Sequence, residues 1–153
     1  MFHLAQLNIA RMKFSPGHPG MKDFTDALDP VNASADASQG FVWRMISDED
    51  TSTEREAFED SGWLVNMSVW ESLKDLKRYI ATPLHLSIMR RRAEWFENHD
   101  QATMVLWGVK NSHQPDFPEA MNRLKHLRKN GPSAYAFGFS DNFDPHGPID
   151  PPE

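Results

Sequence analysis

Apolar residues recur along this chain at the two-residue spacing of β-strands in several short runs. β-Branched and aromatic residues are frequent in these runs, and such residues favour an extended backbone. The predicted strands cover residues 2–12, 41–46, 63–70 and 103–109, with a short last strand at 134–139. Between them lie longer stretches in which the apolar residues follow the spacing of a helix.

Start and stop signals divide these longer stretches into helices. A helix is predicted over residues 22–40, with Asp29-Pro30 as an internal restart. After the third strand, Ser72 caps a helix, and Thr82-Pro83 starts its second part. The capping box Asp116-Phe-Pro-Glu119 opens a further helix, which precedes the last strand.

The elements run β-α-β-β-α-β and then α-β. This order predicts an α+β fold of the ferredoxin-like type with an additional C-terminal helix and strand. Residues 47–62 are polar and acidic, so we expect a connecting loop there with about one helical turn. A single domain is expected over residues 1–140. Residues 141–153 are rich in proline and lack periodicity, which predicts an extended or disordered tail.

The strand patterns also bear on assembly. They place apolar residues on both faces of the predicted sheet. If helices cover one face only, the other face is left open to water. We therefore expect a homodimer, in which a two-fold partner covers the second face.

Composition excludes several classes of site and partner. The 153 residues include no cysteine, which excludes disulfides, thiolate metal sites and a cysteine nucleophile. The formal net charge is −6, and the basic stripe typical of nucleic-acid binding is missing. No apolar run reaches the roughly 20 residues that span a bilayer, and no signal peptide is expected. We expect a cytoplasmic protein with neither a nucleic-acid nor a membrane partner.

Several strings of residues resemble a bacterial family known only as domain of unknown function 3291. They are Gly40-Phe-Val-Trp-Arg44, Asn66-Met-Ser-Val-Trp-Glu-Ser-Leu73, His85 followed by Met89-Arg-Arg-Arg-Ala-Glu-Trp-Phe96, and Ala136-Phe-Gly-Phe139. The resemblance covers residues 3–139. Such proteins resemble the dimeric α/β-barrel superfamily, which includes antibiotic-biosynthesis monooxygenases, haem-degrading monooxygenases and haem proteins. The resemblance implies this fold and a dimer, and it implies no particular activity.

His85 is the leading candidate for chemistry. The segment Tyr79–His85 is similar to the helix segment that places a histidine at the pocket of haem-degrading relatives, which implies that role for His85. A neutral imidazole can ligate haem iron, orient a substrate or transfer a proton near pH 7. The alternative is structural, with His85 capping a helical turn or packing beside Met89.

Three successive arginines follow His85 on the same predicted helix. They point in different directions, because neighbouring helical residues are about 100° apart. Arg90 is expected to pair with Glu94 on the solvent-exposed face. Arg91 or Arg92 could clamp a carboxylate, such as a haem propionate or an acidic substrate, and Arg92 shares a face with His85. The alternative is ordinary structural ion pairing.

One face of the third strand is unusually polar for a central strand. Residues that alternate along a strand share a face, and polar residues of the neighbouring strands can join this one. The resulting candidate cavity lining is Gln6, Asn8, Arg44, Asn66, Ser68 and Trp70. The alternative is a hydrogen-bonded polar layer at the dimer seam.

Together these features favour a small-molecule-binding protein of the monooxygenase-like superfamily. It would bind haem or oxidise an apolar aromatic substrate, so the cofactor is haem or none. His85 would be the catalytic residue, or the ligand of the iron if haem is bound. Arg44, Asn66, Trp70 and Arg92 would hold the cofactor or substrate. The alternative function is a non-catalytic ligand-binding or stress-related dimer.

Overall fold

The computed structural model describes residues 2–15, 17–46, 53–141 and 143. Within these ranges four strands and six α-helices form, and a short 3-10 turn, Pro19–Met21, precedes the first helix. The elements are β1 Phe2–Arg11, α1 Lys22–Asp36, β2 Phe41–Arg44, α2 Thr53–Asp60, β3 Trp63–Trp70, α3 Leu73–Ile80, α4 Pro83–Arg90, α5 Arg92–Trp95, β4 Met104–Lys110 and α6 Phe117–Asn130.

The four strands form one sheet in the order β2-β3-β1-β4, and every neighbouring pair is antiparallel. β1 is central, so its register fixes the others: Leu4 lies opposite Trp70 on β3, and Asn8 lies opposite Asn66. The predicted α+β, ferredoxin-like fold is therefore confirmed. None of the helices in the described ranges is long and apolar enough to cross a membrane.

Helices of the same chain cover both faces of this sheet. The face that carries Leu7, Met67 and Trp107 packs against α6 and α2, and Leu124 of α6 is fully buried there. From the sequence, one face of the sheet was expected to be open to water, and the homodimer was predicted for that reason. The reason is wrong, because α6 covers the face; the homodimer itself stays a prediction.

The opposite face of the sheet is covered by α1, α3 and α4 and has an apolar cluster at each end. At one end, Leu4 and Trp70 pack with Leu76 of α3. At the other end, Ala10 packs with Phe24 of α1 and with Trp95 and Phe96 around α5. The polar middle of the face lies between these clusters, and a cleft opens there.

Several helices differ from the prediction. α1 continues through Pro30, so the predicted restart at Asp29-Pro30 is wrong. Proline has no N–H to donate to the preceding turn, but Pro30 is exposed, so water can bond to the carbonyl that is left without a partner. Residues 53–60 form α2 where a connecting loop was expected, and residues 47–52 lie outside the described residues. The second part of the long helix breaks at Arg91, which separates α4 from α5.

The predicted last strand, 134–139, is reduced to a single bridge. Leu106 donates its N–H to the Phe137 carbonyl at 2.7 Å, and Phe137 donates back at 3.0 Å. Backbone bonds between Ser133 and Ala136, and from Asp141 to Gly138, close turns on either side, so the ladder cannot extend.

Beyond this bridge, Phe143 packs against Phe137 with ring centroids 5.7 Å apart. Core packing therefore reaches past residue 140, where the sequence analysis ended the domain. Most of the predicted tail lies outside the described residues, and its extended or disordered state stays a prediction.

Gly40 is a fold-determining position that can be tested. Its φ is +81°, and a Cβ added there would collide with the carboxylate of Asp75, whereas Gly62 has a φ of +102° and open space around it. We expect Gly40→Ala to lower the free energy of unfolding by about 2–4 kcal/mol and Gly62→Ala by about 1–2 kcal/mol. Urea unfolding of both variants measures this, and equal losses would contradict the role given to Asp75.

Candidate functional site

A cleft lies between the polar middle of the sheet and helices α1 and α4. It has two adjoining chambers. The first chamber, of about 470 Å³, extends towards Phe24 and Phe96. The second chamber, of about 540 Å³, extends towards Trp70 and Phe139. The residues that border both chambers form the junction: Asn8, Val31, Asn32, Arg44, Asn66, His85, Met89 and Arg92.

The structure brings all the predicted site residues to this cleft. His85, Arg92, Arg44 and Asn66 border both chambers, and Trp70 borders the second. They come from β2, β3, α4 and α5, so the fold assembles residues that are up to about fifty positions apart in sequence. Whether they bind a ligand stays a prediction, since proximity alone does not establish binding.

The contribution of α1 to the cleft was not predicted from the sequence. Asn32 and Val31 border the junction, and Asn32 is half-buried. A signal was present: Asn32 follows Leu28 by four residues and precedes Ala35 by three, which places it along the apolar face of a helix. A polar residue on such a face indicates a polar neighbour in the sheet below.

The polar floor of the cleft is a connected set of hydrogen bonds. The Gln6 amide donates to Asn66 Oδ1 at 2.7 Å and to Ser68 Oγ at 2.8 Å. The Trp70 indole N–H donates to the same Ser68 oxygen at 2.9 Å. Asn66 Nδ2 has no partner among the described residues, so it can donate to a ligand. The floor is thus hydrogen-bonded and lines a cleft, and helices of its own chain face it.

His85 lies in the first turn of α4, which starts at Pro83. Its Nδ1 is 3.1 Å from the carbonyl oxygen of Ile80, across the break between α3 and α4. Because a carbonyl only accepts, Nδ1 carries the proton in this contact and Nε2 keeps its lone pair. The contact also fits the structural alternative, in which His85 caps a helical turn.

The environment of His85 keeps its ring neutral. The ring packs edge-on against Tyr79 at 5.3 Å, and Tyr79 in turn stacks on Trp70 at 5.1 Å. Burial lowers the pKa of His85 below its usual 6.5, and the hydrogen bond to the Ile80 carbonyl opposes this only in part. The imidazole is therefore uncharged near pH 7, as general base catalysis or metal ligation requires.

The cleft arginines differ in their partners. Arg44 pairs with Asp36, with 2.8 Å between Nε and Oδ1. No described carboxylate pairs with Arg92, whose guanidinium carbon lies 5.9 Å from the centroid of the Phe96 ring. Arg92 is therefore the cleft cation best able to bind an anionic ligand.

The other two arginines of the run lie outside the cleft lining. The expected pair between Arg90 and Glu94 is wrong, because the helix ends at Arg90 and the turn of Arg91 alters the spacing. Arg91 instead pairs with Glu94 and with Asp23 of α1, each at 2.8 Å. Arg91 thus ties the end of α4 to α1, which is the structural ion pairing that the sequence analysis kept as an alternative.

The donor set limits which cofactors the cleft can hold. Among the described residues, no group of three or more His, Asp or Glu side chains is arranged to hold a metal ion. A haem needs only one protein ligand to its iron, and an imidazole anchored through Nδ1 suits that role. Arg92 could then bind a propionate. The residues present therefore fit a haem through His85 and Arg92.

Comparison with known proteins places the chain in a family. The sequence model of domain of unknown function 3291 (DUF3291) matches residues 3–150. The chain belongs to the DUF3291 family. The match confirms the resemblance noted in the sequence and extends eleven residues beyond it, into the predicted tail. No curated protein matches this DUF3291 chain in sequence.

Solved structures similar to this DUF3291 protein have low sequence identity to it. NE2512, a protein of unknown function from Nitrosomonas europaea, has a TM-score of 0.51 at 12% identity, over 76% of this chain and 98% of that one. SnoaB, a cofactor-independent oxygenase from Streptomyces nogalater, has a TM-score of 0.49 at 16% identity, over 76% and 100%. PA3566 from Pseudomonas aeruginosa has a TM-score of 0.49 at 15% identity, over 74% and 97%. At such identities the likeness concerns the fold alone.

The lowered pKa of His85 predicts a pH dependence of stability. Below about pH 6.5 the unfolded chain protonates this histidine before the folded chain does, so the His85 contribution is complete above pH 6.5 and declines as the pH falls. We expect wild type to lose more unfolding free energy than His85→Gln between about pH 7.5 and about pH 5.5. Denaturant unfolding at both pH values measures this, and an equal loss in the two proteins would contradict it.

Proposed function

We propose that this DUF3291 protein binds an apolar aromatic small molecule in the cleft and oxidises it with molecular oxygen, without a cofactor. The observation that carries the proposal is a neutral His85 whose Nε2 keeps its lone pair, at the junction of two chambers. A homodimer and a cytoplasmic location remain part of the proposal, as the sequence analysis expected them.

The reaction would begin with proton transfer. Nε2 of His85 accepts a proton from an acidic C–H or O–H bond of the substrate, and the electron pair stays on the substrate. The substrate anion passes electrons to molecular oxygen and forms a C–O bond to one of its atoms. The O–O bond then breaks as a second hydrogen leaves the same carbon, which gives a C=O group, and the other oxygen atom leaves as water with the two hydrogens. Arg92 and the free amide of Asn66 favour the substrate anion, because positive charge and N–H donors stabilise developing negative charge.

The alternative, a non-catalytic ligand-binding protein, uses the same cleft. A pocket filled by side chains would favour that alternative, whereas both chambers are open. Open space supports ligand binding in either case, so catalysis has to be tested by turnover.

Anthrone is a suitable probe, because its benzylic CH₂ is acidic and oxidation converts that group to the second ketone of anthraquinone, with one water released. We expect wild type to accelerate oxygen consumption above the buffer rate and His85→Ala to lower this acceleration by about 10²–10⁴-fold, the usual contribution of a general base. An oxygen electrode and the anthraquinone absorbance report the reaction.

The matched control is His99→Ala, since His99 is exposed and outside the cleft lining. It should retain the wild-type rate. Both variants should unfold cooperatively. Acceleration that His85→Ala retains, or a wild-type rate no higher than the buffer rate, would count against the proposed catalysis.

Haem binding is the second candidate, and the anchored Nδ1 of His85 is the observation that favours it. When bound, haem would supply an iron centre for binding and activating oxygen. We expect wild type to develop a Soret band on titration with haem and His85→Ala to lose it. Equal uptake by both proteins, or uptake by neither, would exclude His85 as the ligand.

A further inference from the structure

We infer that the ligand of this cleft carries an acidic group at its centre and an apolar arm on each side. The inference deepens the proposed function and rests on it, because both concern the same cleft. Three features of the cleft carry it: the polarity of the junction, the apolar ends of the two chambers, and the unpaired charge of Arg92.

The junction concentrates the polar side chains. Apart from Val31 and Met89, every residue that borders both chambers can donate or accept a hydrogen bond or carries a charge. The polar junction residues are Asn8, Asn32, Arg44, Asn66, His85 and Arg92. Asn8 and Asn66 lie directly opposite each other on β1 and β3, so their amides form the floor of the junction.

The two ends are predominantly apolar. Beyond the junction, the first chamber is lined by Leu28, Ile88 and the rings of Phe24 and Phe96, with Asp29 as its exception. The second chamber is lined by Phe41, Leu76, Ile80 and Phe139. Its polar groups are already bonded in part: Gln6 donates to Ser68, and the Tyr79 hydroxyl donates to the Val31 carbonyl, with Thr103 as the remaining polar residue. Each end therefore suits a hydrocarbon or aromatic group.

Charge fixes the middle of the ligand. Arg92 borders both chambers and lacks a described carboxylate partner, so an anion bound at the junction gains a charge-assisted hydrogen bond. A ligand with its acidic group at one end has two binding modes, and each is less favourable. It can place the acid at the junction and fill one chamber, or fill both chambers and leave the acid in apolar surroundings, where an unpaired charge is costly.

Two isomeric acids separate these cases. 2-Benzyl-3-phenylpropanoic acid carries its carboxylate between two benzyl arms, whereas 4-(3-phenylpropyl)benzoic acid has the same formula and charge with the carboxylate at one end. We expect the central acid to bind at least about tenfold more tightly, the equivalent of about 1.4 kcal/mol. Titration calorimetry gives both dissociation constants without requiring turnover.

Matched variants locate the effect. Arg92→Gln should weaken binding of the central acid about tenfold, whereas Arg90→Gln, at the exposed neighbouring arginine outside the cleft lining, should not. Leu28→Trp narrows the first chamber and Leu86→Trp the second. Either should remove the advantage of the central acid over one-armed 3-phenylpropanoic acid, and thermal unfolding verifies that both variants fold.

The inference is overturned if the terminal acid binds as tightly as the central acid, if neither acid binds, or if Arg92→Gln leaves the affinity of the central acid unchanged. None of these results depends on the fate of anthrone. If the inference fails but anthrone oxidation requires His85, the proposed catalysis stands and the ligand belongs to a different class. If the central acid binds selectively but anthrone is not oxidised, the ligand class of the cleft stands and the proposed catalysis is refuted.

Discussion

The cleft depends on its polar floor, a row of hydrogen-bonded side chains across the middle of the sheet. Gln6 and Ser68 are each only 8% exposed, and burying such groups is tolerable only because they bond to each other, to Asn66 and to the Trp70 indole. An apolar helix packed directly on this floor would remove water from the remaining amide groups without replacing their hydrogen bonds. The helices instead pack on the apolar clusters at the two ends of the face, and open space remains above the polar floor.

The break between α3 and α4 follows from a second constraint on polar groups. The last carbonyls of a helix lack partners within it, and Pro83, which has no N–H, favours a new start. His85 donates to the Ile80 carbonyl across this gap. The contact that completes the end of α3 therefore also fixes the tautomer of the ring, so structural and chemical roles of His85 reinforce each other.

The sequence predicted those parts of the site that local periodicity controls. Alternation along a strand put Asn66 and Trp70 on one face, and helical spacing put Arg92 with His85. It could not predict which side chains pair where the pairing depends on the residue at which a helix ends. Glu94 was therefore expected to pair with Arg90, whereas it pairs with Arg91. Nor could it predict α2, whose Phe58 stacks on Trp63 at 5.2 Å and contacts the ring of Phe117, far along the chain, at 5.6 Å.

The same limit applies to assembly. The spacing of Leu124 and Leu127 along α6 indicates that both must be buried, but it does not indicate which face of the sheet buries them. With that face covered, association of two copies has to use an edge or a helical surface. β2 is an edge strand of four residues with a shift in its register beside the 40%-exposed Val42, and short, irregular edges resist strand pairing. The outer edge of β4 is already paired with Phe137 at Leu106. Contact through helices is therefore favoured over extension of the sheet across β2.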